Sequence, residues 1–403
     1  MKISDVLSYL NDDRVRRIIA QVTLAGFVVF CFWWLISNTS QNLDQLNKSI
    51  GFDFLFQNAG FQIAPTLGTW LFSYEVGSST YWDIYFIGII NTLLIAVLGI
   101  FAATIIGFLI GIMRLSNNLI FRSFATVYIE VLRNIPILLQ LFFWYFTVLR
   151  SLPDKRGKID LIPGAISVNL EGLFLPYPIW HSGAGFAGII LLIATIATMF
   201  MRRKSKNRQL LTGHPLPIWR ITAGIFAAAI LMILVSVGIP MEWSQPTFIE
   251  TGSVIKRGFD KTTAILVIPE MLAVWFALTL YTAAFIAENV RSGILAVSKG
   301  QAEAASALGL SSGQTLRLVV IPQALRVIVP PLTSQYLNLT KNSSLAVAIA
   351  YPELVSIFAG TAMNQVGKEI EMFFMMMMVY LTFSLLTSAF MNWFNHRSKL
   401  AER

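Results

Sequence analysis

Long apolar segments separated by short charged segments dominate the pattern of this chain. Eight of these segments are apolar over a length that can cross a hydrocarbon layer of roughly 30 Å. They are predicted at 18–36, 84–113, 134–152, 183–201, 217–239, 269–290, 323–345 and 371–394. The pattern predicts an all-α polytopic protein with about eight transmembrane helices in contact with membrane lipid.

Composition and charge agree with a lipid environment. Only 13% of the 403 residues are charged, whereas a soluble domain carries about 25%. Lys and Arg concentrate in five segments: the N-terminus, 114–133, 202–216, 291–322 and the C-terminal tail. The positive-inside rule places these segments, and hence both termini, in the cytoplasm. This bias explains the net charge of +9, and no nucleic-acid partner is expected because no basic helix or aromatic-basic patch is present.

The first apolar segment is predicted to be an uncleaved transmembrane anchor. It is long, is flanked by aromatic residues and lacks a small-residue cleavage site. A polar loop is predicted to follow, so that residues 1–83 form an anchor and an outer loop. In the second span, Gly99, Ala103, Gly107 and Gly111 recur every four residues, a stripe that lets another helix approach closely.

The segment between the sixth and seventh spans has signals for two short helices. Residues 298–308 are good helix formers, and Gly309 suits a left-handed helix end. Ser311 followed by Gln314 predicts a capping box at the start of a second helix, which Pro322 is expected to end or kink. Leu308 and Leu310 flank the turn. This arrangement favours a docking knob for a soluble partner over an ordinary connecting loop.

Several motifs together resemble the permeases of ABC importers. Glu303-Ala304-Ala305, Gly309 and the Val319–Pro322 end are similar in spacing to the EAA loop of that family. The polar amino-acid branch is resembled by residues 91–93, 130–136, 280–288 and 338–345. The resemblance covers 84–395, with an insertion at about 151–264 whose two spans (183–239) have no evident role. It is closest to the long permease subunit of general L-amino-acid importers.

The resemblance implies a type I ABC importer permease core at 84–395 and a cytoplasmic tail at 396–403. It implies import of L-amino acids, of broad specificity, across a bacterial inner membrane. The implied partners are an ATP-binding subunit docked on the EAA coupling loop (298–322), a second homologous permease and a periplasmic amino-acid-binding protein. The coupling residues would be Glu303, Ala304, Ala305, Leu308, Gly309, Leu310 and Pro322.

Catalysis and cofactor binding by this chain are not expected. The segment nearest to a phosphate-binding loop, Gly360 to Glu369, has the wrong glycine spacing and no hydroxyl after its lysine. ATP hydrolysis is therefore expected in a partner. No metal site is predicted, because His181, His214 and His396 are far apart in the sequence.

Polar side chains inside the predicted spans are candidates for the substrate path, since an ionisable group at mid-bilayer costs at least about 2.5–3.5 kcal/mol. The candidates are Asn91, Thr92, Arg133, Asn134, Gln140, Tyr281, Glu288, Asn338, Lys341, Asn342 and Ser343. Arg133, Lys341 and broken-helix N-termini are hypothesised to meet a substrate carboxylate, and Glu288 its ammonium. A structural ion pair with Arg291 fits Glu288 equally well, and helix packing is favoured for Asn91 and Thr92.

Two other classes of function fit the sequence less well. A secondary transporter driven by an ion gradient would be expected to have repeated broken helices and titratable groups at mid-membrane. No clear inverted repeat is visible, and the acidic residues cluster at span ends. An intramembrane enzyme would need a metal-binding or nucleophile motif, and neither His-Glu-x-x-His nor Gly-x-Ser-x-Gly occurs.

Overall fold

The computed structural model describes residues 13–45, 51–214, 216–249 and 258–398. The predicted N-terminal basic residue Lys2 and the tail residues 399–403 lie outside these ranges. Within them, seven helices are long and apolar enough to cross a membrane, and one bent helix pair raises the number to eight. The expected all-α polytopic architecture with about eight spans is therefore confirmed.

The helices, in chain order, are α1 (Asp13–Gln45), α2 (Leu67–Leu71), α3 (Tyr81–Arg114), α4 (Leu119–Asn134), α5 (Ile137–Phe142), α6 (Ala184–Thr212), α7 (Ile218–Ser236), α8 (Pro269–Leu295), α9 (Lys299–Ala307), α10 (Ser312–Thr315), α11 (Ile321–Asn342), α12 (Met363–Val366) and α13 (Glu369–Ser398). Wider π-helical turns occur at Phe143–Val148, Leu316–Val320 and Ser356–Ala362. Tighter 3₁₀ turns occur at Asp53–Phe56, Leu149–Ser151 and Ser343–Ile349.

The inserted segment adds β-structure that the sequence does not predict. Its strands are β1 (Ile159–Ile162), β2 (Ile166–Asn169), β3 (Gly172–Leu175), β4 (Pro178–Trp180), β5 (Met241–Trp243), β6 (Phe248–Ile249) and β7 (Gly258–Phe259), and β8 (Ile265–Val267) follows directly after it. An antiparallel sheet has the order β1-β2-β3-β8, and β4-β5 and β6-β7 form separate pairs. The rings of Phe174 and Phe259 stack with their centroids 4.0 Å apart and form a small hydrophobic core among these strands.

The core of the membrane part centres on the contact between α3 and α8. An added Cβ at Gly107 would lie 2.6 Å from Ile286 Cβ, and one at Gly111 would lie 2.7 Å from the Ala287 carbonyl oxygen. Ala103, one turn earlier, is fully buried. The small-residue stripe therefore acts as predicted, because only residues without large side chains allow the two backbones to approach so closely.

The third span is bent and is not the straight helix predicted from 134 to 152. Helix α4 and the helical segment Ile137–Ser151 meet at 106°. Pro136 at this junction has no N–H group and disfavours helix in the residue before it. The Gln140 side chain donates from Nε2 to the carbonyl oxygens of Leu132 and Ile135, both at 2.9 Å. The segment 114–133 was expected to be a cytoplasmic connection, but most of it forms helix α4. This helix packs against α8, where the Tyr128 hydroxyl donates to the Leu280 carbonyl at 2.9 Å.

The two inserted spans form a hairpin that packs on itself. Ala187, Ile190 and Ala194 of α6 lie in one buried cluster with Ala229 and Ile233 of α7. Elsewhere the hairpin presents large apolar side chains outward, Ile193 and Phe200 being 60% and 66% exposed. Such surfaces are expected of helices that face lipid.

Candidate coupling and transport sites

The predicted docking turn has the geometry that its residues suggest. Helix α9 ends at Ala307, and Gly309 adopts the left-handed conformation with φ of +80°. The Gly309 N–H donates to the Ser306 carbonyl at 2.9 Å and the Leu310 N–H to the Ala305 carbonyl at 3.2 Å. These two bonds are those of a Schellman motif, which explains why glycine suits this position.

The second helix of the coupling loop begins as predicted. Ser311 and Gln314 form the expected capping box, with the Ser311 N–H donating to Gln314 Oε1 at 2.9 Å. Pro322, expected to end or kink this helix, does not end the helical path. Instead, the chain passes through the π turn Leu316–Val320 directly into α11, with Pro322 in its first turn. The wide turn accommodates the missing N–H and the bulk of the proline ring.

The tip of this coupling turn is exposed. Leu308 is 82% exposed, and Glu303, Ala304 and Gly309 are also exposed, whereas Ala305 is buried. Leu310, expected to flank the turn as Leu308 does, is half-buried. An exposed leucine at the end of a rigid turn is the kind of apolar anchor that a groove on another protein can receive.

The C-terminal ends of α3, α4 and α8 are tied by an ionic cluster around Glu288. Its carboxylate accepts from Arg114 at 2.5 Å and from Arg291 at 2.6 Å. Arg114 also contacts Glu130 at 3.2 Å. Because two guanidinium groups already neutralise the Glu288 carboxylate, this geometry favours the structural ion pair over contact with a substrate ammonium group. The expected neighbour Arg291 is present, and Arg114 adds a tie between helices that the sequence did not indicate.

Glu288→Gln is expected to lower the apparent Tm of the purified chain in detergent by the equivalent of about 1–3 kcal/mol, because two cations lose a partly buried partner. Adding Arg114→Gln should recover part of the loss, since one unpaired cation is then removed. Asp13→Asn is the matched control: it breaks the Arg16–Asp13 pair, whose side chains are 59% and 74% exposed, and should change little. An unchanged Tm with lost uptake for Glu288→Gln would contradict the structural assignment.

Asn91 and Thr92 join α3 to the chain that follows α11. Asn91 Oδ1 accepts from the Gly68 N–H at 3.1 Å, and its Nδ2 donates to the Pro352 carbonyl at 2.7 Å. Thr92 Oγ1 accepts from the Leu354 N–H at 3.1 Å. Both side chains are buried and bonded within the protein, so the geometry agrees with the packing role favoured for them.

Sequence analysis missed the fully buried carboxylate of Glu353, next to this network. Glu353 accepts from the backbone N–H groups of Val355 at 2.8 Å and Ser356 at 2.7 Å, and from the Tyr380 hydroxyl at 3.1 Å. It thereby links the start of the π turn Ser356–Ala362 to α13. The available signal was its isolation, since it is the only Asp, Glu, Lys or Arg between Lys341 and Lys368.

Arg133 and Tyr281 both lie next to Phe285. The Arg133 guanidinium stands 5.2 Å from the Phe285 ring centroid, and the rings of Tyr281 and Phe285 are 4.9 Å apart. Asn134 donates to the Glu130 carbonyl one turn back at 2.7 Å. Tyr281 and Phe285 therefore lie on one side of α8, and Arg133 approaches Phe285 from α4. Gln140, by contrast, is occupied at the bend and is buried.

The C-terminal end of α11 has an irregular backbone. Helical geometry changes to a 3₁₀ turn at Ser343, and Ala350 is left-handed with φ of +58°. Asn338 and Lys341 are exposed, Asn342 is half-buried, and the buried Ser343 donates to the Thr340 carbonyl at 2.7 Å. The candidate residues thus fall into separate groups: the ionic cluster around Glu288, the contacts around Phe285, the Asn91–Thr92 network, the bend at Gln140 and the end of α11.

A cavity of about 400 Å³ opens where the bent span, α8 and the inserted sheet meet. Its polar lining was not predicted: Tyr145 donates to Glu270 Oε1 at 2.8 Å and accepts from Arg150 at 3.0 Å. Asp154, Lys155 and Glu171 also line it. The cavity escaped sequence analysis because its walls come from three segments that are distant in the chain.

Residues 215–400 match the family described as binding-protein-dependent transport system inner membrane component. The chain is also similar over nearly its full length to curated proteins. It is 47% identical to the general L-amino acid transport system permease protein AapQ of Rhizobium johnstonii, over 98% of this chain and 95% of that protein. It is 44% identical to the putative amino-acid ABC transporter permease protein YhdX of Escherichia coli, over 98% and 97% respectively.

A third relative is the glutamate/glutamine/aspartate/asparagine transport system permease protein BztB of Rhodobacter capsulatus. It is 38% identical, over 98% of this chain and 96% of that protein. Because these similarities extend over almost the whole length of each protein, they include the inserted hairpin as well as the coupling loop. The chain is therefore a member of the amino-acid ABC transporter permeases, a multi-pass inner-membrane component of binding-protein-dependent transport systems.

Proposed function

We propose that this chain is the non-catalytic translocation subunit of an importer that carries L-amino acids of broad specificity across the bacterial inner membrane. The names of its relatives, which refer to general L-amino acids and to glutamate, glutamine, aspartate and asparagine, support this substrate class. ATP hydrolysis is assigned to a separate subunit. Both termini and the coupling turn are assigned to the cytoplasm, in keeping with the positive-inside rule.

The observation that carries the proposal is the continuous helical path from the exposed coupling turn into the membrane. Leu308 and Gly309 stand at its tip, and the chain then runs through α10 and the π turn into α11. A push on the tip by a closing ATPase subunit would therefore act on α11 without a flexible connection between them. Movement of a packed helix is a recognised way to switch between two openings.

Three partners are proposed. The ATP-binding subunit receives Leu308, while Glu303, Ala304 and Ala305 shape the helix behind it and Pro322 lies where the path enters α11. A second, homologous permease completes the translocation path. A periplasmic amino-acid-binding protein delivers substrate, as the description of the matching family suggests.

For the substrate carboxylate, Arg133 and Lys341 remain the proposed partners. Arg133 is exposed beside the Tyr281–Phe285 pair, and Lys341 is exposed where the backbone of α11 becomes irregular. Asn338, Asn342 and Asn134 are proposed to offer further hydrogen bonds nearby. Gln140, Asn91, Thr92 and Ser343 are buried and are assigned to holding the path in shape.

The test is reconstitution of the purified chain with its ATP-binding subunit and partner permease in proteoliposomes. Uptake of radiolabelled glutamine should require ATP on the side of the coupling turn and the binding protein on the other side. The chain alone, supplied with a sodium or proton gradient, should show none. Gradient-driven uptake by the chain alone would overturn the proposal in favour of a secondary transporter.

A further inference from the structure

The inserted hairpin has a strongly basic end. Between Glu171 and Glu242 the sequence contains no Asp or Glu, whereas Arg202, Arg203, Lys204, Lys206, Arg208 and Arg220 all occur there. All six side chains are exposed. Five of them lie within seven residues near the C-terminal end of α6, and the sixth lies in the first turn of α7. This end lies at the far end of the hairpin from the β4–β5 pair. It is on the same side as the coupling turn, because α6, α7 and α8 are three successive spans that each cross once.

The position of these basic residues relative to the hydrocarbon layer follows from the lengths of α6 and α7. Helix α6 has 29 residues and α7 has 19, which correspond to about 43 and 28 Å at 1.5 Å per residue. At the outer end the two helices are level, since β4 pairs with β5 immediately beyond them. The excess length of α6, about 13 Å beyond a hydrocarbon layer of roughly 30 Å, therefore projects at the basic end.

A hydrogen bond fixes the register at that end. The Leu216 N–H, just before α7, donates to Ser205 Oγ at 3.0 Å. Arg202, Arg203 and Lys204 are consequently at the hydrocarbon edge, level with the first turn of α7. Trp219 is 71% exposed in that turn, and the Arg220 guanidinium stands 5.2 Å from its ring centroid. Tryptophan and basic side chains together are typical of the headgroup layer.

We propose that this basic end of the α6–α7 hairpin, which we call the basic collar (Arg202, Arg203, Lys204, Lys206, Arg208 and Arg220), binds the phosphate groups of anionic phospholipids. Consecutive positions on a helix point in different directions, about 100° apart, so the side chains at 202–204 spread over roughly 200° of the α6 surface. A lipid layer can engage all of them at once, whereas a protein partner would cover one side. The outward apolar surface of the same helices continues into the hydrocarbon.

The test places a fluorescent reporter inside the collar of the full chain. Because Cys31 is the single cysteine, Cys31→Ser with Asn207→Cys gives one labelling position on an exposed residue. The labelled chain is reconstituted in vesicles that contain nitroxide-labelled phosphatidylglycerol or, at the same mole fraction, nitroxide-labelled phosphatidylcholine. The nitroxide is close to the headgroup, and quenching of the reporter's fluorescence measures how much of each lipid lies beside it. We expect phosphatidylglycerol to be enriched at the reporter by about fivefold or more, the effect of even one basic residue near an anionic partner. Raised salt should reduce this preference without any mutation.

Two matched variants locate the effect. Arg202→Gln/Arg203→Gln/Lys204→Gln/Arg220→Gln should remove the preference. Lys155→Gln/Arg156→Gln/Lys158→Gln/Lys261→Gln removes the same number of cations beyond the other end of the spans and should retain it. Equal quenching by both lipids in the unmodified collar, or a preference that survives the first variant, would overturn the proposal. Loss of the preference in the assembled transporter would do the same, because the collar would then face a protein partner.

Discussion

Gly309→Asp is expected to reduce ATP-driven amino-acid uptake by the assembled transporter at least about tenfold, which corresponds to only roughly 1.4 kcal/mol. Gly309 has φ of +80°, a conformation that costs a residue with a side chain about 1–2 kcal/mol. The strain would distort the Schellman turn that presents Leu308. The carboxylate would also add charge and bulk at the apolar tip that the ATP-binding subunit is proposed to receive. Uptake and ATP hydrolysis should be measured together in proteoliposomes.

The matched control is Gly313→Asp, four residues away. Gly313 is also exposed with free space around it, but its φ is not positive. It lies in the first turn of α10, where an acidic residue favours the helix. This variant should keep most of the uptake. Normal uptake and normal co-purification of the ATP-binding subunit with Gly309→Asp would show that the turn is not the coupling element.

Gly107→Val is expected to prevent stable folding of the membrane core. The added Cβ would lie 2.6 Å from Ile286 Cβ and 3.0 Å from the Ala283 carbonyl oxygen, and neither atom is the end of a flexible side chain. Overpacking a core typically costs about 1–3 kcal/mol, and a collision with backbone is expected to exceed that. Because even 1–2 kcal/mol changes abundance several-fold in cells, the amount of purified, unaggregated chain should fall several-fold.

Gly188→Val provides the comparison for this variant. Gly188 is also inside a long apolar helix, but no atom lies within 4 Å of the position a Cβ would take. Yield and apparent Tm should therefore stay close to those of the unmodified chain. If Gly107→Val had the same yield and the same apparent Tm as Gly188→Val, α3 and α8 could not pack as closely at Gly107 as the structure shows.

Those features that a bilayer dictates could be predicted from the sequence. The thickness of the hydrocarbon layer sets the length of a span, so counting apolar segments located α3, α8 and α13 to within a few residues. The turn at Gly309 and the cap at Ser311 were equally accessible, because local backbone chemistry specifies both. The small-residue stripe at Gly107 and Gly111 revealed that a helix packs there, although not which one.

Features that depend on tertiary contact were not accessible in this way. The bend after α4 relies on Gln140 reaching back to Leu132 and Ile135, and a single proline signal cannot distinguish a bend from a helix start. Pro322 was expected to end or kink a helix, and only the structure shows that the helical path continues past it through a π turn. The strands of the insertion have two to four residues each, too few for an alternating pattern. Glu353 was overlooked because its isolation between Lys341 and Lys368 does not show that its carboxylate is buried and bonded to the backbone of the following turn.

The pairing of β3 with β8 brings two distant parts of the chain together. Leu175 lies opposite Ile265 in this ladder, so residues 176–264 leave the ladder and return to it at adjacent positions. A segment whose two ends are adjacent can be lengthened, shortened or lost with little effect on the register of the helices around it, since closing a longer loop costs little. The α6–α7 hairpin and the short strands β4 to β7 are therefore arranged as an accessory module, which evolution could graft onto a smaller permease core without rebuilding the contact between α3 and α8.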